Sequence, residues 1–338
     1  MSIEMCILGS GSAGNATLVR ATGDLRHKPG GAILIDAGFG PQTTAKKLAA
    51  LGGIGGAGGP LAEIRALCLT HLDRDHINMN WLVTLVKYQI RVFCHESVVE
   101  ALRRAMRDFA AGRKAMVPAA DLVEGYQTGA EFRPIPEGEG GVRIQTLRFA
   151  HDEAGSHGFL IEATGGADGG RIGYATDLGH VPAALPELFC GVDVLALESN
   201  YDPDMELASD RPWPLKQRVM GGSGHLSNQQ AFEAVQAVLD VTAQRHGLER
   251  LPRHIVLLHR SRECNCPNLL RRLFEQDERI VPRLTLAEQH APTGWLRVQR
   301  EAAGGAEAPR MTVEAVRMKH RQPQQGSIGV QLPLLELG

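Results

Sequence analysis

Short apolar runs separated by glycine-rich turns open the chain, and Ile3 to Leu8, Ala16 to Arg20 and Ala32 to Asp36 read as three strands. A helical pattern follows from Pro41 to Leu51, and the stretch from Gly52 to Pro60 breaks it as a glycine-rich loop. Ile64 to Leu69 then reads as a buried strand and Ile77 to Tyr88 as the helix after it. Further along, Val142 to Phe149, Ile172 to Tyr174 and Arg253 to Leu258 read as strands, and Pro267 to Glu275 as a helix. Ser227 begins a long helix that runs to His246, with Gln230 at the spacing of a capping box. Strands and helices alternate with no separating linker, which predicts one α/β domain over residues 1–299. Beyond it, residues 300–338 are rich in Gly, Ala and Gln and weakly periodic, as expected of a partly flexible extension.

Composition narrows the class without naming a function. The 338 residues are 43% hydrophobic and 22% charged, enough for a large core in a globular protein. No apolar run is long enough to cross a bilayer and MSIEMCILGSGS lacks a signal layout, so the cytoplasm is the expected compartment. The six cysteines are scattered, several in strand-like runs, which argues for reduced, packed thiols, Cys264 and Cys266 included. A net charge of -2 offers no global field for nucleic acid. Local groups such as Arg103, Arg104 and Arg107, or Arg260, Arg262, Arg271 and Arg272, matter only if they flank a site that handles phosphate.

The chemistry concentrates in LTHLDRDHIN, where His71, Asp73, Asp75 and His76 follow a strand and precede a helix. A strand end holds side chains rigidly, and the turn after it lets several converge. Helix capping by one aspartate is the simpler alternative, and it explains neither histidine. Other donors also stand at strand ends: His151 in RFAHDE, Asp177 in GYATDLGH and His259 in IVLLHRSRE. Together they make two trios of nitrogen and oxygen donors with one carboxylate to share, the requirement of a two-metal hydrolytic centre.

This order of THxxxDH, a later histidine, a GYxTD-type aspartate and a final strand-end histidine resembles the metallo-β-lactamase fold superfamily, with Asp36 of LIDAG at its early structural aspartate. The segments LGSGSAGNATLV, GYATDLGHV, LESNYDPDM, PLKQR, GHLSNQQA and LHRSRECN resemble most the YycJ-like (WalJ) branch of double-stranded DNA exonucleases. The resemblance implies an αββα sandwich of two mixed β-sheets flanked by helices. It implies one metal on His71, Asp73 and His151, a second on Asp75, His76 and His259, and Asp177 bridging them. It also implies 5′-to-3′ hydrolysis of DNA phosphodiesters. A metal-bridging hydroxide is the expected nucleophile, with Asp75 and His225 the candidate catalytic residues. The family has histidine where this chain has Asp73; carboxylate is the harder donor and favours manganese or iron over zinc.

His225, just ahead of the Ser227 helix start, is expected to meet the scissile phosphate or protonate the leaving oxygen. Ser10, Ser12 and Asn15 are expected to offer a phosphate-binding turn, which equally serves to join two strands. Tyr201 stands where relatives often carry histidine, and among His95, His157 and His180 the last lies nearest a predicted donor. Other readings of the same residues are a small-molecule ester, thioester or cyclic phosphodiester hydrolase, a carboxylate-ligated di-iron protein, or a non-catalytic DNA-associated module. At the chain's end, Gln331, Leu332, Leu334 and Leu335 resemble the peptide that docks bacterial DNA enzymes onto the replication sliding clamp, or form a last strand on the domain. Docking predicts that Gln331→Ala with Leu334→Ala abolishes clamp binding in a pull-down; unchanged binding, or none in the parent, refutes it.

Overall fold

Apolar residues in the first strand fall on both faces: Ile3, Met5 and Ile7 enter one buried cluster, Cys6 and Leu8 another. A strand covered on both sides loses the apolar/polar alternation of a surface strand and reads as a continuous run. The computed structural model describes residues 2–22, 31–52, 58–113, 118–135, 141–164 and 169–298. The tail with Gln331 to Leu335 lies outside them, as does most of the Gly52–Pro60 loop.

The first half of the chain supplies β1 (Ser2–Gly9), β2 (Ala16–Thr22), β3 (Ala32–Ile35), β4 (Ile64–Cys68), β5 (Arg91–His95) and β6 (Val123–Tyr126). The second supplies β7 (Glu131–Ile135), β8 (Val142–Phe149), β9 (Ser156–Ala163), β10 (Arg171–Ala175), β11 (Val194–Glu198), β12 (His254–Leu258) and β13 (Leu284–Leu286). β14 (Leu296–Val298) then returns to pair with β1. Two seven-stranded sheets result, ordered β14-β1-β2-β3-β4-β5-β6 and β13-β12-β11-β10-β9-β8-β7. Each is half antiparallel meander and half parallel: β3 to β6 run parallel in one, β10 to β13 in the other. In the second sheet Val194, Ala196, Val256 and Leu258 face the first sheet, while Leu195, Leu197, Ile255 and Leu257 face outward.

Helices cover both outer faces. α1 (Pro41–Leu51), α2 (Leu82–Tyr88) and α3 (Val99–Gly112) pack on the first sheet through Leu48, Leu85, Leu102 and Met106. On the second sheet lie α4 (Leu185–Leu188), α7 (Asn228–His246) and α8 (Pro267–Phe274), packed through Leu185, Val235, Leu239, Leu270 and Phe274. The short helices α5 (Pro203–Ala208) and α6 (Trp213–Met220) lie in the connection between β11 and α7. The αββα sandwich is therefore the observed architecture.

One element begins later than its pattern suggests. The helix expected from Ile77 is regular only from Leu82, after a 3-10 turn over Met79–Trp81 capped by the Asn78 side chain. The backbone ahead of it is already used: Ala37 N–H donates to His76 O at 2.7 Å and Asn78 N–H to Ala37 O at 2.9 Å. Neither Asp73 nor Asp75 caps this helix, so the simpler reading of those aspartates is excluded.

The topology sets where loops collect. β1 and β3 point the same way in their sheet, as do β8 and β10 in theirs, so the C-terminal ends of β1, β3, β4, β8, β10, β11 and β12 share one rim. Four rim residues have positive φ: Asp36 (58°), Asp152 (43°), Asp177 (58°) and His259 (51°). Such conformations cost about 1–3 kcal/mol each in non-glycine residues and persist where the surroundings hold them. Gly38 has no such choice, because a Cβ there would lie 1.8 Å from Asp75 O. On the other side of the rim, Ser227 caps α7: Gln230 N–H donates to Ser227 Oγ at 3.2 Å and Ser227 N–H to Gln230 Oε1 at 2.9 Å. Ser227→Ala should lower unfolding stability by about 1 kcal/mol, seen as a lower urea midpoint with an unchanged slope.

Candidate metal centre

The rim is organised from below by a fully buried carboxylate. Asp36 accepts the Thr70 N–H at 2.9 Å, the Thr70 hydroxyl at 3.0 Å and His76 Nδ1–H at 2.8 Å. Because Thr70 gives its one proton to Asp36, its oxygen accepts from His71 Nδ1–H at 3.0 Å. Both imidazoles thereby turn Nε2 toward the same space. His151 Nδ1–H donates to Gly224 O at 3.0 Å, and His259 Nδ1–H to Glu198 Oε1 at 3.2 Å, with the same consequence for each.

Around that space the structure brings together all seven residues singled out in the sequence. Donor atoms of His71, Asp73 and His151 lie within 4.8 Å of one another, and so do those of Asp75, His76 and His259. Asp177 joins the two sets: its donor atom lies within 4.8 Å of those of His71, from the first, and His76, from the second, and its carboxylate is 3.2 Å from His76 Nε2. His71 Nε2 is buried with no hydrogen-bond partner, its closest anion being Asp73 at 3.8 Å. A bare, buried lone pair facing carboxylates fits a cation, so this donor set suits divalent metal. Asp73 is the exposed member, with 49% of its side chain accessible.

Burial and the neighbouring carboxylates pull the imidazoles of the cluster in opposite directions. Burial, reinforced by the neighbouring His76, pushes His71 down to about 3. Burial opposes charge at His151 and His259 too, but Asp73 and Asp177 raise the first to about 9, and Asp177 and Asp75 the second to about 10. Asp177 is held well below the usual carboxylate range: burial works against its charge, and His259 and His76 more than offset it.

Glu198, which the sequence reading passed over inside LESNYD, lies at the centre of the opposite wall. It is fully buried, and its Oε1 takes His225 Nδ1–H at 2.8 Å as well as His259. Its other oxygen accepts Leu178 N–H at 2.8 Å, which ties the Asp177 turn to β11. The available signal was its position at the end of a β-run, level with the other donors. His225 stacks on His259 with ring centroids 5.2 Å apart, bordering the cluster on its open side.

The expected phosphate-binding turn has another task. Ser10 Oγ accepts His259 N–H at 2.9 Å, and Asn15 Nδ2 lies 3.0 Å from His76 Nε2 and 3.3 Å from Asp75 Oδ2. The N–H groups of Gly11, Ala13 and Asn15 are bonded to Asn15 Oδ1, Gln289 Oε1 and Asp75 O. Ser10 and Asn15 are thus buried struts of the cluster, and Ser12 stays exposed at the loop tip. Tyr201 is buried beside Val219 and Cys264. His180 is exposed and donates to Gly222 O at 2.8 Å, away from the donor set.

With this geometry in hand, comparison with known proteins is informative. Residues 32–259 match the family described as Beta-lactamase superfamily domain. Exodeoxyribonuclease YycJ of Bacillus anthracis is 23% identical over 278 residues, covering 82% of this chain and 89% of its own length. Among solved structures, the short form of human tRNase Z aligns with a TM-score of 0.54 at 18% identity, over 86% of this chain and 98% of the other. Zinc-bound PqqB from Methylobacterium extorquens aligns with a TM-score of 0.54 at 14% identity, over 86% and 99%.

The Asp36 linkage carries a direct prediction. Asp36→Asn keeps the shape but loses the acceptor pattern that orients His76 and Thr70. Affinity for manganese or zinc should fall about 10–100-fold, measured by chelator competition, with the circular dichroism spectrum unchanged.

Proposed function

The chain belongs to the beta-lactamase superfamily as a hydrolase of the metallo-β-lactamase fold, and from that premise we propose that it is a metal-dependent phosphodiesterase that degrades DNA exonucleolytically from 5′ ends. The observation that carries this reading is the double donor set joined by Asp177, with a Glu198-bound histidine on its open side. The name of the Bacillus anthracis relative, an exodeoxyribonuclease, supports DNA as substrate.

In this reading His71, Asp73 and His151 would hold one divalent ion and Asp75, His76 and His259 the other, with the Asp177 carboxylate available to both. Such ions would supply Lewis acidity toward a phosphate ester and lower the pKa of an attacking water. The chain's own residues do the rest. Asp36, the Thr70 hydroxyl, the Gly224 carbonyl and Glu198 lock four imidazoles in the tautomer that offers Nε2 inward. The carboxylates of Asp73, Asp75 and Asp177 supply the negative charge that draws cations to a buried place. His225 spends Nδ1–H on Glu198, so Nε2 is the atom left to give a proton to the departing 3′ oxygen. Asp73, a hard donor in the most exposed ligand position, favours manganese or iron over zinc.

Metal-stripped protein supplied with manganese, iron or zinc should digest end-labelled duplex DNA stepwise from the 5′ end, and Asp75→Ala should not. Failure with every metal, together with hydrolysis of a small ester, would replace the nuclease by a small-molecule hydrolase. His225→Ala should slow DNA cleavage about 10²–10⁴-fold. The same variant should lose far less on a thymidine p-nitrophenyl phosphodiester, whose leaving group needs no proton; equal losses on both would remove His225 from acid catalysis.

A further inference from the structure

Beside the first donor set lies a recess of about 250 Å³, bounded by His71, Asp73 and His151 on one side and by Leu72, Val98 and Ala101 on another. A third wall holds two imidazoles, His95 and His157, stacked 4.4 Å apart with 15° between ring planes. The Thr128 hydroxyl lies 3.2 Å from His95 Nε2 and 3.4 Å from His157 Nε2, and His157 N–H donates to Thr70 O at 3.1 Å. The stack is therefore built onto the strand end that carries the donors. Among the described residues, neither ring belongs to a group placed to bind metal. Burial, then the neighbouring His95, push His157 down to about 4, so this wall carries no positive charge near neutral pH.

Arg148 stands at the rim, where a Cβ on Gly155 would lie 3.2 Å from its Nε. Arg148 is exposed, sits opposite His157 in the β8–β9 register, and has no carboxylate partner among the described residues; its charge disfavours a second one on either imidazole. An apolar recess with an uncharged imidazole wall, an edge of candidate metal donors and an arginine without a carboxylate partner beside it together match a nucleotide: base inside, phosphate outside. The volume lies just under the roughly 300–1,000 Å³ of sites for drug-sized ligands, room for one ring system. A base enters a closed recess only by leaving its stack, which costs a few kcal/mol within a duplex and least where pairing is already lost.

We propose that this recess receives the base of the terminal nucleotide beside the cleaved bond, with Arg148 taking phosphate charge at its mouth. The inference rests on the nuclease reading and deepens it, because a pocket for a chain end selects ends over interior positions.

The test compares a duplex carrying a normal terminal residue with one whose terminal residue is abasic, cut by the metal-loaded enzyme. The wild type should prefer the normal end by on the order of tenfold in kcat/KM. Ala101→Trp, which fills the recess from an exposed helix position, should bring that ratio near one with metal content unchanged. By calorimetry the wild type should bind thymidine 5′-monophosphate at least several-fold more tightly than 2-deoxyribose 5-phosphate, and Arg148→Gln should weaken both alike. The nucleotide comparison needs no variant and stands even where Ala101→Trp fails to fold. Equal cutting of both ends, equal binding of both phosphates, or a preference that survives Ala101→Trp overturns the recess and leaves the nuclease standing. No digestion of either duplex overturns the nuclease reading itself.

Discussion

The buried Asp36 carboxylate is the point on which the rim depends. Burial pushes the Asp36 carboxyl above the usual carboxylate range, and the His76 imidazole and the two Thr70 donors work against that push. Each of those bonds is also directional. Through His76 it aims one Nε2 at the cluster directly, and through the Thr70 hydroxyl it aims another on His71. Two donors of the two candidate triads are thus oriented by a residue that belongs to neither. The opposite sheet repeats the device with Glu198, which orients His259 and His225 together.

These arrangements need a scaffold that delivers seven strand ends to one rim, and the two-part sheets provide it. A parallel strand returns to the same edge after each crossover, so successive turns gather there instead of alternating between ends. The left-handed residues at Asp36, Asp177 and His259 turn the chain sharply at the moment it leaves the sheet, which brings the side chain back over the rim. Short aspartate and histidine side chains are among the residues that tolerate this backbone best. Close approach at Gly38, bonded to Asn15 and crowded by the Asp75 carbonyl, locks three loops against each other. Strain in the loops is thus held by packing in the sheets beneath them.

Much of the candidate site was legible because its donors are unusual residues at strand ends. A histidine or aspartate closing an apolar run has few structural uses, and five such runs carried one. Glu198 also closes an apolar run, yet a single acid followed by Ser199 and Asn200 has no distinguishing spacing. Ser10 and Asn15 were read as facing a phosphate because a glycine-rich turn leaves amides free in isolation; folding spends them on Gln289, Asp75 and the turn itself. Likewise the helical period from Ile77 was visible, but not that Ala37 would claim the backbone on both sides of that residue.

By itself the sequence determined the alternation of elements, the cap at Ser227 and the side chains that make up the candidate donor set. All of these follow from local periodicity or from the chemistry of single side chains. Tertiary structure alone decided which nitrogen of each histidine faces the cluster, that Asp36 and Glu198 govern them, and that His95 and His157 stack into the wall of a recess. Those outcomes depend on hydrogen bonds between residues as far apart as Ser10 and His259. No local pattern encodes such a partner; the two sheets must first close on each other.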